Sequence, residues 1–285
     1  MTGPRPMQIL IPASNEAALI DGCLSALLVA LTPTGATSKQ VPVGVTVIAN
    51  GCRDATAARA RAFGEAFARK GWSLRVIELA QGSKIAALNA GEADLPSEAI
   101  RVYLDADVTV SPRLLGGLHA ALDGPAPLYA GGRPRITGRG GVARAYARLW
   151  ARLPFMTHGV PGCGVFAVNP AGRARWGRFP DLISDDGFVR LQFAPQERIA
   201  VPEPYDWPVA EGLAALVRVR GRQDAGMREI ARLHPELLAR EGKPPLGARG
   251  AARLALRDPL GFAVYGTVAL GVRLRPAPDS WSRGR

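Results

Sequence analysis

Several residue types are scarce, and each scarcity excludes something. Histidine occurs only at His119, His158 and His234, in unrelated contexts without a ligand-like neighbour, so no histidine-built metal or acid–base cluster is expected. Cysteine occurs only at Cys23, Cys52 and Cys163. An odd number without Cys-x-x-Cys spacing excludes a disulfide framework and a zinc site, and points to a reducing compartment. Aromatic residues are 6% of the chain, too few to interleave with basic residues as a base-stacking platform, so a nucleic-acid partner is not expected. Long apolar runs are missing too: the longest late uncharged stretch, Pro259 to Val272, has 14 residues, where a spanning helix needs about 20. Met1 to Pro6 leads straight into an expected strand with no basic-then-apolar leader, which gives a cytoplasmic expectation. Acidic residues are outnumbered, 24 against 36 Lys and Arg, for a net charge of +12. That balance suits acidic partners such as nucleoside diphosphates or an anionic membrane face. The Arg, Ala, Gly and Pro bias is equally what a GC-rich genome produces.

What is present is a globular chain of 285 residues, 47% hydrophobic, long enough for one large domain with an extension. The first third alternates regularly. Met7–Pro12 reads as a strand, and a helix capped by Ser14 or Asn15 follows to about Leu31. Val43–Ile48 is a second strand, and a helix from Asp54 to Lys70 ends at Gly71. Leu74–Leu79 is a third strand before a helix opened by Gln81-Gly-Ser-Lys84. Ile100–Leu104 is a fourth, before a helix begun near Pro112. This β-α order predicts an α/β fold with a mainly parallel sheet flanked by helices, and the turns after Pro12, Ile48, Leu79 and Leu104 along one sheet edge. Further on, the chain reads as a strand at Leu128–Arg133, a helix at Gly141–Leu153 and a glycine-rich turn into a strand at Gly162–Val168. A short strand at Ile199–Val201 is followed by a break at Pro202, Pro204 and Pro208. From Glu211 the chain reads as helical and basic, and Ser280–Arg285 as a loose tail.

The chemistry centres on Asp105-Ala-Asp107 at the end of the apolar run Ile100–Leu104. In open α/β sheets, ligands bind outside the carboxyl ends of strands. Two carboxylates one residue apart repel unless a cation or hydrogen bonds compensate. Hard divalent ions such as Mg²⁺ or Mn²⁺ take carboxylate oxygens and complete their shells with phosphate and water. Gly82-Ser-Lys84 at a helix start suits a diphosphate, because free backbone N–H groups and an ammonium face it. Gly162-Cys-Gly-Val-Phe-Ala167 fits a loose dinucleotide pattern, but no clear strand precedes it and Pro170 interrupts the helix that should follow.

Pro12-Ala-Ser-Asn-Glu16, Asn50-Gly-Cys-Arg-Asp54, Gly82 to Gly91, Asp105-Ala-Asp107, Gly162-Cys-Gly164 and Ser184-Asp-Asp186 follow one another at believable spacings. This set resembles family 2 glycosyltransferases of the GT-A fold, over roughly Gln8 to Gly226. The resemblance implies a nucleotide-sugar donor, with a UDP-sugar expected. Pro12, Ala13 and Glu16 would lie against base and ribose, and Asn50 would contact the base where the family usually carries an acid. Lys84, Asn89 and Arg222 would serve the nucleotide sugar, Asp105 the ribose or sugar, and Asp107 a Mn²⁺ or Mg²⁺ ion. Gly162, Cys163 and Gly164 would let the acceptor approach the backbone. Asp186 matches the family's general base, beside Asp185 where Glu is usual; Ser184 also reads as a helix N-cap. Arg222 fits the family's Gln-x-x-Arg-Trp, but its Gln and Trp are missing here, which argues against a processive synthase. The implied acceptor is a sugar, lipid-linked or other hydroxyl, in glycan, polysaccharide or glycolipid synthesis. A sugar nucleotidyltransferase and a catalytically silent nucleotide-sugar binder are the competing readings.

The expected organisation is a catalytic domain over 1–210, with a donor half to about 110 and an acceptor half to 210, then a basic helical extension over 211–285. Within the extension, Pro259–Val272 lies between Arg257 and Arg273-Leu-Arg275. It suits either a core helix packed on the catalytic domain or, as 259–275, peripheral contact with the inner face of an anionic membrane.

Overall fold

The computed structural model describes residues 4–34 and 39–274; the expected tail Ser280–Arg285 and Arg275 lie outside them. In chain order the elements are β1 (Met7–Ala13), α1 (Ile20–Val29), β2 (Val43–Asn50), α2 (Thr56–Arg61), α3 (Gly64–Arg69), β3 (Ser73–Leu79) and α4 (Lys84–Glu92). Next come β4 (Ile100–Leu104), β5 (Thr109–Val110), α5 (Leu114–Leu122), β6 (Tyr129–Thr137), α6 (Gly140–Trp150), α7 (Pro154–Thr157) and β7 (Val165–Val168). The chain continues through α8 (Pro170–Arg173), α9 (Asp185–Leu191), β8 (Arg198–Pro208), α10 (Leu213–Leu233), α11 (Gly247–Arg257) and α12 (Pro259–Leu274).

The strands form an eight-stranded sheet in the order β3-β2-β1-β4-β7-β6-β8-β5. β3, β2, β1 and β4 are mutually parallel, whereas β7 runs antiparallel to β4 and β6, and β5 antiparallel to β8. All eight residues of β2 and all five of β4 are buried, which is why both read as unbroken apolar runs. β3 lies at the sheet edge, with Ser73, Arg75 and Glu78 exposed and its apolar residues half-buried. The order 3-2-1-4 places a topological switch point between β1 and β4. There the connections leave in opposite directions, and a crevice opens at the carboxyl ends of the strands. Pro12–Glu16 follows β1 and Asp105–Asp107 follows β4, so the sheet brings both motifs to that crevice.

Three local expectations are corrected. The helix expected over 54–70 is two short helices, because Phe63 N–H bonds back to Ala60 O at 3.2 Å and Gly64 follows directly; glycine is a weak helix former in mid-segment. Helix α1 starts at Ile20, not at a Ser14 or Asn15 cap, since Asn15 is left-handed at φ 54°. The prolines at 202, 204 and 208 do not break a strand: β8 runs through all three. Pro204 O accepts from Ser111 N beside β5, so these same-parity prolines put their missing N–H on the side paired only through Thr109 and Val110.

The chain forms two compact units that interleave along the sequence. One comprises Met1–Pro134, Gly162–Asp181 and Gln196–Asp206; the other comprises Arg135–Pro161, Leu182–Pro195 and Trp207–Arg285. The first is centred on β1, β2 and β4. In the second, Tyr146 and Trp150 of α6, Leu216 and Val217 of α10 and Val268 of α12 share one core. Asp258 fixes the turn from α11 to α12. It is 5% exposed, held bidentately by Arg148 at 2.7 Å and approached by Arg152, and it accepts from Gly261 N at 3.0 Å.

Candidate active site

In the first unit, the turns that end the parallel strands are laced together by bonds between residues distant in sequence. Asn15 Oδ1 accepts from Arg53 N at 2.7 Å, Glu16 N donates to Thr56 Oγ1 at 2.8 Å, and Ala17 N donates to Asp54 Oδ2 at 3.1 Å. The Cys52 thiol reaches Ala13 O at 3.5 Å and accepts from Asn15 N at 3.4 Å. The turns after β2 and β3 touch through glycine backbone. Gly51 sits at φ +57°, and a Cβ there would lie 2.4 Å from Gly82 N. The contacts of Asn15, Cys52 and Thr56 and the Gly51–Gly82 approach are not legible in the sequence, because no spacing signals a partner some thirty to forty residues away.

Asn50 is the bracket of this lacing. At 2% exposure, its amide donates to Ala13 O at 3.0 Å and Ile48 O at 3.3 Å and accepts from Ser83 N at 3.1 Å. One side chain thereby ties the turns after β1, β2 and β3. Both ends of the amide are engaged by backbone groups. Asn89 is engaged in the same way. It donates to Phe179 O at 3.1 Å and accepts from Phe179 N at 2.8 Å, so α4 holds the 176–181 segment. One turn along α4, Glu92 adds a bidentate pair with Arg173 and a bond from the Tyr103 hydroxyl.

At the switch point, Lys84 Nζ pairs with Asp105 Oδ1 at 3.0 Å, and Ser83 caps α4 by accepting from Ala86 N at 3.1 Å. Asp105 and Asp107 are half-buried and Ala106 is buried. Cys23 lies beneath them with its Sγ 3.8 Å from Asp105 O. Burial, and then the charges of Asp107 and Asp105, push its thiol far up. The glycine turn adjoins this pair: Asp105 N donates to Gly164 O at 2.8 Å. Gly162 and Gly164 are left-handed, and a Cβ on Gly162 would fall 1.9 Å from Tyr129 Oη. Cys163 is buried, and its carbonyl accepts from Tyr205 Oη at 2.7 Å, so Gly164 is the most open member of this turn. Pro12 and Glu16 are partly exposed and Ala13 is buried.

No three His, Cys, Asp or Glu side chains among the described residues gather as a metal cluster. A Mg²⁺- or Mn²⁺-type ion at a diphosphate takes one or two carboxylates and keeps phosphate and water for the rest of its shell. Asp105 and Asp107 at the end of β4 fit that donor set.

Asp185, Asp186 and Arg222 belong to the second unit. Asp185 is buried at the start of α9. Asp186 Oδ1 accepts from Ser184 Oγ and from Gly187 N, each at 2.8 Å. Ser184 occupies the expected N-cap position, but its hydroxyl makes no capping bond and serves Asp186 instead. Helix α10 supports this turn through Glu229, which accepts from Ile183 N at 2.8 Å, and through Gly226, where a Cβ would lie 2.7 Å from Ser184 Cβ. Among the α10 arginines, Arg220 turns inward to Asp224 at 2.8 Å and to the Tyr265 hydroxyl. Arg218 is exposed and Arg222 half-exposed.

Structural comparison gives the fold. The chain is similar to the mannosyltransferase PcManGT from Pyrobaculum calidifontis in complex with GDP-Man and Mn²⁺, with TM-score 0.57 and 19% identity over 97% of this chain and 78% of that one. It is also similar to S. aureus TarS 1-349 in complex with UDP-GlcNAc, with TM-score 0.53 and 16% identity over 94% of this chain and 81% of that one. The fold is thus GT-A: a sheet, parallel through its first half, flanked by helices, with further helices at the carboxyl end. The family follows from the sequence. Residues 8–174 match the model of glycosyl transferase family 2, and the chain belongs to that family as a glycosyltransferase. The sugar nucleotidyltransferase reading is thereby set aside. Comparison with curated protein sequences returns no match.

Proposed function

We propose that this glycosyltransferase moves a sugar from a nucleotide-sugar donor, a UDP-sugar in the first instance, to an acceptor hydroxyl with inversion at the anomeric carbon. One observation carries the reading. The turns after β1, β2, β3 and β4 converge on one sheet edge, where Lys84 faces Asp105 at 3.0 Å beside Asp107. Pro12, Ala13 and Glu16 line the base and ribose end. Lys84 and the first turn of α4 face the diphosphate, an ammonium and backbone N–H groups toward negative oxygens. Asp107, with Asp105 beside it, would hold a divalent ion, and that ion would supply charge neutralisation for the departing diphosphate.

Asp186 accepts the proton of the acceptor hydroxyl as that oxygen bonds to the anomeric carbon. The bond from that carbon to the diphosphate oxygen breaks, and its electron pair leaves with the diphosphate. Ser184 Oγ and Gly187 N, both on Oδ1 at 2.8 Å, fix the carboxylate's orientation. Asn50 and Asn89 act through the turns they hold. The acceptor is a sugar, lipid-linked or other hydroxyl.

The experiment is donor turnover across UDP- and GDP-sugars, with and without Mn²⁺. Both nucleotides belong in the panel because the similar structures hold GDP-Man and UDP-GlcNAc. Metal-stimulated release of the nucleoside diphosphate supports the reading. Binding without any turnover would make the chain a silent binder.

A further inference from the structure

Helix α12 has two unlike faces. Val264, Tyr265, Val268 and Val272 turn toward the core of the second unit, with Val268 at 1% exposure. The opposite face is also apolar, yet open. Leu260 is 62%, Leu270 55% and Leu274 76% exposed. With Ala263, these positions fall within an arc of about 80° at ~100° per residue, and no charged residue lies in that arc. On α11 the neighbouring Leu256 is 86% exposed.

The charges around this face have one sign. Arg249, Arg253 and Arg257 lie four residues apart on α11 and are exposed, as is Arg273 on α12. None of the four takes part in an ion pair among the described residues. The one acidic residue between 242 and 274 is Asp258, buried and held by Arg148 and Arg152. At 16 residues, α12 is about 24 Å long, short of the ~30 Å hydrocarbon core, and no described helix is long and apolar enough to cross a membrane.

We propose that the α11–α12 surface docks on an anionic lipid bilayer, with Leu256, Leu260, Leu270 and Leu274 at the headgroup–acyl boundary and the arginines at the headgroups. The proposal assigns the packed reading to one face of α12 and the membrane-facing reading to the other. Charge complementarity selects this occupant. A second copy of the chain is the other apolar candidate, but a two-fold contact through this face would set one arginine row against another. The inference does not depend on the donor or the catalytic residues.

The test is vesicle co-flotation of the full chain, using phosphatidylcholine alone and phosphatidylcholine mixed with phosphatidylglycerol, at low and high salt. Two variants accompany it: Arg249→Gln/Arg253→Gln/Arg257→Gln, and Leu260→Gln/Leu270→Gln. All five positions are solvent-exposed, and unchanged melting and vesicle-free donor turnover verify the fold. Recovery with the anionic vesicles only, weakened by salt, is expected. Each arginine near an anionic surface is worth on the order of fivefold, so the triple variant should lose about a hundredfold in affinity, and the leucine variant should also fall. Equal recovery with both lipids, recovery with neither, or a concentration-dependent dimer abolished by the leucine substitutions would overturn the proposal. Turnover without vesicle binding would refute the docking alone; vesicle binding without turnover would refute the catalytic reading alone.

Discussion

Replacing Asn50 by aspartate distinguishes a ligand-contacting residue from a bracket. The family pattern usually carries an acid at this turn, so a residue that contacts the donor should tolerate the acid or improve with it. The geometry dictates the reverse. Asn50→Asp keeps an acceptor for Ser83 N, 3.1 Å away, but turns a carboxylate oxygen toward Ala13 O at 3.0 Å and Ile48 O at 3.3 Å, where the amide had donated. The site is 2% exposed, so the ion is neither hydrated nor paired. A cost on the order of 3–5 kcal/mol at neutral pH follows. Asn50→Ala loses three hydrogen bonds at about 1 kcal/mol each, so about 2–4 kcal/mol and a melting point lower by roughly 5–10 °C. The two variants separate further with pH. Burial raises the new carboxyl's folded value above its unfolded value of about 3.9. Its penalty is therefore absent below that value and grows as the pH rises toward the folded value. Urea unfolding of the parent and both variants between pH 4 and 8, with UDP titration at neutral pH, measures each effect. An Asn50→Asp protein as stable as the parent at pH 7, binding UDP at least as tightly, would refute the bracket.

The remaining predictions concern the metal, the base and the acid limb of stability. UDP should raise the melting temperature modestly alone and more with Mn²⁺ or Mg²⁺; Asp107→Ala should lose the metal-dependent increment, and indifference of wild-type UDP binding to EDTA would remove the metal assignment. Asp186→Asn should lower turnover at least about a hundredfold while donor affinity stays within a few-fold. Lost donor binding with intact turnover would leave Asp186 only a structural role at the start of α9 and make Asp185 the better candidate. Arg148, with help from the Gly261 N–H and Arg152, holds Asp258 down at about 2. Its stabilisation is therefore complete above the unfolded value of about 3.9 and is lost as the pH falls toward 2. Acid unfolding followed by circular dichroism should show a shallower dependence in Asp258→Asn over that interval, and an unchanged slope would show that this carboxylate does not govern the acid limb.

The sequence by itself determined whatever depends on neighbours in the chain. Four apolar runs alternating with helical patterns, each strand followed by a turn rich in Gly, Asn, Ser or Asp, specify parallel strands whose motif-bearing turns share an edge. That made Asp105-Ala-Asp107 and Gly82-Ser-Lys84 readable as parts of one site. Tertiary structure decided the partners. Neither Asn50 at the end of β2 nor Asn89 on α4 carries a local sign of a distant partner. Only the approach of Ser83, 33 residues on, and of Phe179, 90 residues on, converts them into struts. The prolines of β8 look like breakers until the pairing side of each residue is known. The apolar run 259–272 carries no periodicity that marks its inner face; the packing of α6 and α10 against Val268 selects it. Periodicity encodes local geometry, whereas hydrogen-bond partners, buried faces and interleaved units depend on contacts between residues far apart in sequence, which exist only once the chain has closed on itself.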